Sequence, residues 1–439
     1  MPDFRVRVWS DRPGDDVAVH WANTGAPVVG AVVHPRSLPA GVAALTALPR
    51  RVVEIANLPP DAPIRIAMGG ESCTVLTPPP PGGELRLLHG CCYHRLDDRG
   101  RLAAAYASLR AQDRPHLRIQ CGDQLYLDAG ELPGGATPFD RTLARYREYW
   151  ESAEYAPYLR DGALLCTPDD HDFWNDYPFM MPHLARSWSN AWRAHAAAAQ
   201  SCLLAYQALG NPEGRTWFTL DLGVVSLFVL DHRTRRGTTS RNPPPRLFDR
   251  DQRDALLAWS RALTKPGVLV SAMPLFQKPT GKFLLVTTDH NLLAWPGDAR
   301  QIWRAVETAP CDVLLLAGDV HQGRAVEWRT GAPGAMRQHW EVVASPLRLL
   351  SWPIQLPRRV EDPPAGLQLG GGMGRRDWQE VAYATTTDHF VILRFQDEGA
   401  AGVRVRLTAH RMPDAVIPPS QRGGRERCEL QLSLRREVA

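Results

Sequence analysis

The sequence predicts an α/β protein in which a layered domain of packed sheets flanked by helices follows a small β-sandwich. Three observations predict it. Residues 4–76 carry short β-branched runs broken by Pro and Gly. Thr77-Pro78-Pro79-Pro80-Pro81-Gly82-Gly83 then makes a stiff polyproline step that ends in a Gly hinge. Beyond it, short apolar strands alternate with helical stretches, the pattern of layered α/β folds. A chain of 439 residues exceeds one small domain and can bury a core without disulfides or metals to hold it together. The expected division is 1–80 for the sandwich and 84–439 for the larger domain.

Each element follows from local pattern. Strands are expected over 17–21, 28–33 and 51–55. The stretch 53–66 reads as a strand, a turn at Pro59-Pro60-Asp61 and a second strand, and it resembles the E–F region of a fibronectin type III sandwich. In the larger domain 85–89 and 116–121 are strands, and 101–110 is helical. Two long helical stretches, 141–159 and 187–209, form an insert over about 131–215. The apolar run 224–230 suits a strand buried on both faces. Helices over 252–263 and 299–307 alternate with strands over 268–271 and 312–317. The tail returns to strands at 340–344, 389–395, 403–408 and 428–434, with an irregular loop over 353–374.

A net charge of +4 is too small, and the basic residues too scattered, to point to nucleic acid or a membrane surface. Acid and base alternate in Asp3-Phe4-Arg5-Val6-Arg7, where a signal peptide has an apolar run, and no twin-arginine leader or membrane span is evident. A cytoplasmic location is therefore expected, with the eight cysteines reduced. They form no CxxC pair, and Cys73, Cys202 and Cys428 read as incidental.

Four segments share one feature: an apolar strand ends abruptly in polar residues able to bind a metal. They are His89-Gly90-Cys91-Cys92-Tyr93-His94, Cys121-Gly122-Asp123-Gln124-Leu125-Tyr126-Leu127-Asp128, Asp169-Asp170-His171-Asp172 and Gly318-Asp319-Val320-His321. Taken singly, a Gly-Asp after a strand is ordinarily a turn, an acidic run a helix cap and a lone cysteine a small hydrophobe. Together they gather carboxylates at strand ends, where α/β sheets place their sites, and crowded carboxylates repel unless cations hold them. Carboxylate oxygen suits hard cations, while thiolate and imidazole suit iron or zinc, so two or more metals are expected.

Gly122-Asp123-x-x-Tyr126-x-Asp128, Asp169-Asp170-His171-Asp172 and Gly318-Asp319-Val320-His321 resemble the signature of PhoD-like phosphatases, a branch of the calcineurin-like metallophosphoesterase superfamily. The segments 229–236 and 343–347 are similar to that family as well, and the resemblance covers nearly the whole chain. It implies a calcineurin-like metallophosphoesterase domain behind a fibronectin III-like sandwich. It further implies Cys92, Asp123, Tyr126, Asp170, Asp319 and His321 as metal ligands, with Asp123 bridging two ions and Tyr126 as a phenolate. Cys91 competes with Cys92, His94 is a second candidate in that segment, and iron plus calcium are the implied metals, with manganese or zinc as alternatives. His171 falls where the superfamily places the group that protonates the leaving oxygen. The superfamily's usual ligating His after strand 268–270 is replaced here by Ser271-Ala272-Met273.

The expected reaction is hydrolysis of a small-molecule phosphoester by a metal-bound hydroxide, with His171 as general acid and Asp123 at the catalytic centre. Arg233 and Arg236 are candidates to clamp the phosphate, or else form surface salt bridges, and Asn175 is a weaker candidate to contact substrate or metal. Trp150, Trp174, Trp188 and Trp192 in the insert are either core or the lining of a substrate pocket. The alternative from another class is a noncatalytic binding or scaffolding module on the same fold. Metal content after reconstitution separates the two.

Overall fold

Successive residues of a strand point to opposite faces, so alternation decides what each layer buries. On the strand Val313–Ala317, Leu314 and Leu316 pack into one apolar cluster while Val313 and Leu315 pack into another. The same division runs through Leu227 and Val229 against Phe228, and it sorts the larger part of the chain into four layers. The computed structural model describes residues 5–11, 16–43, 45, 50–130, 132–181, 184–237, 246–276, 281–282, 285–286, 292, 295–330, 336–349, 367–369, 374–376, 383–412 and 429–436.

The two central layers are sheets. The first has six strands in the order Glu429–Leu434, Val403–Arg411, His389–Asp397, Leu85–Gly90, Leu117–Cys121 and Leu164–Thr167. Its last three run parallel and the others pair antiparallel. The second has seven, in the order Phe218–Asp221, Ser226–Val229, Gly267–Val270, Val313–Ala317, Arg337–Val343, Gly323–Thr330 and Ala384–Thr385. Four of these, from Ser226–Val229 to Arg337–Val343, are parallel. Leu87, Ile119, Leu227, Val270, Leu316 and Val342 belong to the core shared by the two sheets.

Helices cover both outer faces. Arg101–Ala107, Pro138–Trp150, Ala156–Arg160 and Trp192–Tyr206 pack with Leu88 and Ile392 of the first sheet. Arg250–Arg261 and Pro296–Glu307 pack with Phe228, Leu269 and Leu315 of the second. Strands buried on both faces carry uninterrupted apolar runs, which is why the parallel ones were legible.

The N-terminal residues form two three-stranded antiparallel sheets. Arg51–Ala56 lies between Val6–Ser10 and Val32–Arg36, and Pro63–Met68 lies between Val17–Trp21 and Glu71–Leu76. The turn at Pro59-Pro60-Asp61 carries the chain from one sheet to the other, with Asp61 at φ 47°. Val53, Ile55, Ile64 and Ile66 close one core between them.

Several expectations are corrected. The strand expected over 28–33 is Val32–Arg36, an edge strand, where Pro35 costs no interior ladder bond. The helix expected over 141–159 breaks into Pro138–Trp150 and Ala156–Arg160. Pro157 cannot continue a helix but can start one, and the Ser152 hydroxyl accepts the Tyr155 amide at 3.0 Å in between. The helix expected over 187–209 is regular only from Trp192 to Tyr206. Gly323–Thr330 is a strand that sequence pattern did not reveal, because Arg324, Glu327 and Arg329 interrupt its apolar alternation. Most of the loop expected over 353–374 lies outside the described residues, as does Cys428. Within that loop Leu367–Leu369 pairs with Gly374–Arg376. Among the described residues no helix is long and apolar enough to cross a membrane.

Candidate metal centre

The candidate residues leave the carboxyl ends of strands in both sheets: Leu85–Gly90, Leu117–Cys121 and Leu164–Thr167 in the first, Val313–Ala317 in the second. The chain turns sharply at each end. Among the described residues nine non-glycine positions have positive φ, and four of them are Cys92 (58°), Asp123 (51°), Asp319 (66°) and His321 (55°). This left-handed backbone costs about 1–3 kcal/mol per residue and concentrates where a structure must aim a side chain.

The glycines before two of these aspartates are there for close approach. A Cβ on Gly122, whose φ is +100°, would lie 2.2 Å from Cβ of Asp169. One on Gly318 would lie 2.4 Å from Sγ of Cys91. Both Gly-Asp pairs therefore bring loops of different strands into contact.

The result is a nest of buried acids. Asp123, Asp169, Asp170 and Asp319 each offer an oxygen within 4.8 Å of the others, and Asp123, Asp170 and His171 form a second such group. The Asp172 carboxylate holds the loops together by accepting the backbone amides of Asp123 (3.1 Å), Gln124 (3.2 Å) and Asp169 (2.9 Å). Sγ of Cys92 is 3.4 Å from Oδ2 of Asp123 and receives the Ser345 hydroxyl at 3.2 Å. Sγ of Cys91 touches that of Cys92 at 3.2 Å but lies 3.3 Å from the Cys121 carbonyl and accepts the Asp319 amide at 3.3 Å. Of the two cysteines, Cys92 faces the acids.

Electrostatics give the nest its character. Burial pushes the Asp123 carboxyl well above the carboxylate range, and the neighbouring Cys92 pushes it further. Burial, Cys91 and Asp319 hold the Cys92 thiol high, and burial with Cys92 and Asp123 does the same to the Tyr126 phenol. The buried Tyr126 hydroxyl has no hydrogen-bond partner among the described residues. An orphaned phenol beside a thiol and clustered carboxylates is a costly arrangement that cations reverse. The donor set suits a hard cation at the carboxylates and a softer one at sulfur and phenol.

A family model for PhoD-like phosphatases matches residues 88–388. The chain belongs to the PhoD-like phosphatase family. A solved structure titled "Structure of PhoD" aligns with all of this chain and 84% of its own, at 16% identity and a TM-score of 0.60. The purple acid phosphatase PPD1 from yellow lupin (Lupinus luteus) seeds aligns with 98% of this chain and 69% of its own, at 10% identity and a TM-score of 0.51. Both are likenesses of a mixed α/β fold with several sheets. No curated protein matches the chain in sequence.

In this PhoD-like chain His171 lies at the edge of the nest. Its amide donates to Oδ1 of Asp123 at 3.2 Å, and its Nδ1 is 2.8 and 2.9 Å from the two oxygens of Asp128. Burial alone lowers its pKa, but Asp128, Asp170 and Asp123 together raise it well above the usual histidine value. Asp128 ends below the carboxylate range: burial opposes this, and His171 with the Asn175 amide outweighs it. Sequence reading gave Asp128 no role, though its place five residues after Asp123 marked it as part of one loop. Asp169 and Asp172 likewise have roles that their place in the sequence does not announce.

Other predicted residues take different positions. Arg233 is fully buried: Nε donates to Oδ1 of Asp169, one terminal nitrogen donates to the Tyr177 carbonyl at 3.0 Å, and the other is 3.7 Å from Asp170. Arg236 is also buried, with a nitrogen 2.9 Å from Sδ of Met273 and its guanidinium 5.1 Å from the Trp295 ring centre. Both are buried, so neither sits on the surface, where the alternative salt bridge would form. His321 is half-buried and, like Cys92, lies outside both 4.8 Å groups. His94 is held by Asp97 at 2.7 Å, with its ring edge-on to Tyr126. Asn175 gives its backbone amide to Asp128 at 2.8 Å, and its side-chain nitrogen is 3.9 Å from Sδ of Met181. Trp150, Trp174 and Trp192 join the helical core, while Trp188 is half exposed. At the position of the missing His, the Ser271 hydroxyl donates to the Met273 carbonyl.

Proposed function

We propose that this chain hydrolyses phosphoesters at a metal centre held by Asp123, Asp170, Asp319, Cys92, Tyr126 and His321, with Asp169 as an added carboxylate. The single observation that carries the reading is the buried quartet Asp123, Asp169, Asp170 and Asp319 within 4.8 Å, with the Cys92 thiol against it. The donor chemistry suits iron near Cys92 and Tyr126 and calcium among the carboxylates, with manganese or zinc as substitutes. Such cations, when bound, supply Lewis acidity toward a water and the phosphoryl oxygens.

The chain's own groups do the rest. His171 is held as an imidazolium with Nδ1 on Asp128, which leaves Nε2 to give its proton to the departing oxygen. A positioned acid of this kind contributes about 10²–10⁴ in rate. Arg233 is committed to Asp169, so its role is to fix that carboxylate and balance its charge, while Arg236, whose Nε donates to the His232 carbonyl at 3.1 Å beside Met273 and Trp295, is the candidate for a phosphate contact. The domain reading proposed alongside is a fibronectin III-like unit over 1–80 and a catalytic domain over 84–439 with an insert near 131–215.

The test is Asp123→Asn, assayed after metal reconstitution on an aryl phosphate monoester and its diester. Loss of hydrolysis of at least one is expected. Unchanged activity on both overturns the reading.

A further inference from the structure

A second cavity lies away from the metal nest, where the N-terminal sheets meet the helical layer and the strand Leu164–Thr167. Its volume is about 240 Å³. Trp9, Met68, Trp150, Leu159 and Tyr206 form apolar walls, Gln124 and Gln207 line it beside Cys166, and Arg7, Asp11, Glu71, Glu151 and Arg160 also border it. Both glutamines are buried. The Gln124 side-chain amide lies against the Cys166 thiol and, beyond that weak sulfur contact, neither its nitrogen nor its oxygen has a hydrogen-bond partner among the described residues. Gln207 donates Nε2 to Asp172 at 2.9 Å and to the Tyr146 hydroxyl at 3.2 Å, which orients its amide and leaves Oε1 without a partner among the described residues.

Unpaired buried amides cost free energy, so a polar partner bound at this site would be stabilising. Water alone is a poor answer. A space this size holds about eight molecules, each wanting two to four polar neighbours, and the apolar part of the lining exceeds the polar part. Mostly apolar walls with a few convergent polar groups describe a ligand pocket, and one below about 300 Å³ takes a single small ring system. Gln124 presents a donor and an acceptor side by side, and Gln207 adds an acceptor. A heterocycle or aromatic amide with a matching donor and acceptor on one edge satisfies them.

We propose that this cavity binds a small, neutral, planar molecule with an amide-like edge, and that its occupancy is felt at the metal centre through Asp172. The link is short. One oxygen of Asp172 accepts the Gln124 backbone N–H and the Gln207 side-chain nitrogen, and the other accepts the Asp123 backbone N–H at 3.1 Å. A ligand that pulls on either glutamine therefore acts on the backbone of Asp123. The binding part stands independently of the phosphoesterase reading; the coupling part rests on it.

The experiment uses the full, metal-reconstituted chain with adenine and nicotinamide as probes. Saturation-transfer NMR and thermal melting read binding, and hydrolysis of an aryl phosphate reads coupling. Expected are a raised Tm and a several-fold change in kcat or KM with one of the probes. Ser72→Trp, at the lining on the N-terminal side, is expected to abolish both effects and to keep basal activity. Gln124→Met is expected to weaken binding about tenfold, as loss of roughly one hydrogen bond does. Absence of binding by both probes at millimolar concentration overturns the proposal, as does equal binding to the Ser72→Trp protein. If both probes bind and the basal enzyme is inactive, the phosphoesterase reading fails while the site stands.

Discussion

Nδ1 of His171 sits 2.8 Å from one oxygen of Asp128 and 2.9 Å from the other, a forked ion pair at the rim of the acidic nest. The pair fixes which nitrogen is left to act. His171→Gln is expected to lower kcat about 10²–10⁴-fold on an alkyl phosphate and far less on a 4-nitrophenyl ester, whose leaving group needs no proton. Asp128→Asn should show a weaker form of the same split. Equal losses on both substrates would remove the proton-donor role.

The two adjacent cysteines should separate cleanly. Cys92→Ser is expected to lower metal content per chain after reconstitution, whereas Cys91→Ser, which alters a thiol turned toward Cys121, should keep it. Elemental analysis reads the difference. If iron occupies the Tyr126 side, a visible absorption band should disappear in Tyr126→Phe.

Gly122→Ala and Gly318→Ala should both destabilise the chain, each by about 1–3 kcal/mol or more from overpacking. Gly122→Ala carries an added penalty for its positive φ. Urea unfolding measures it, and a midpoint unchanged in either variant contradicts the close loop contacts.

Arg233 and Asp169 are both fully buried and paired. Removing one partner of such a pair typically costs about 3–5 kcal/mol because the other charge is left uncompensated. Arg233→Met should therefore lower Tm sharply, and Arg233→Lys should recover part of the loss. A surface arginine would show neither effect.

Burial holds His89 near a pKa of about 4, and His232 and His339 near about 3. The unfolded chain protonates these groups near about 6.5, so it binds more protons than the folded chain below that pH. Their contribution to stability is complete above about 6.5 and is lost as pH falls toward about 4 for His89 and about 3 for His232 and His339. Urea midpoints should decline across that window, less steeply in His339→Gln. Identical slopes for variant and parent would show that His339 is not held neutral.

Much of the site was legible because its residues follow apolar strands. Asp123 and Asp319 announced themselves as the first acids after buried runs, while Asp170, which follows Asp169, was marked out by the family resemblance. Cys92 against Cys91 was not legible, since one residue of register reverses a side chain and the turn at Cys92, with φ 58°, belongs to no strand pattern. Asp128 and Asp172 were in view but without roles, because each acts on residues it meets only after the loops fold over one another. The strand Gly323–Thr330 stayed hidden because Arg324 is buried by pairing with Glu341, at 3.7 Å, a partner in the neighbouring strand.

Period-two alternation, proline and glycine punctuation and the Gly-Asp strand ends are local, and they specify the layers and which residues stand at the strand termini. Which of those residues face one another is not local. Asp169 and Arg233 lie 64 positions apart and leave strands of different sheets, yet they pair without water between them. That follows from packing one sheet on the other: the packing brings the two sets of strand ends to one rim, removes solvent from them, and makes isolated charges into a coupled cluster.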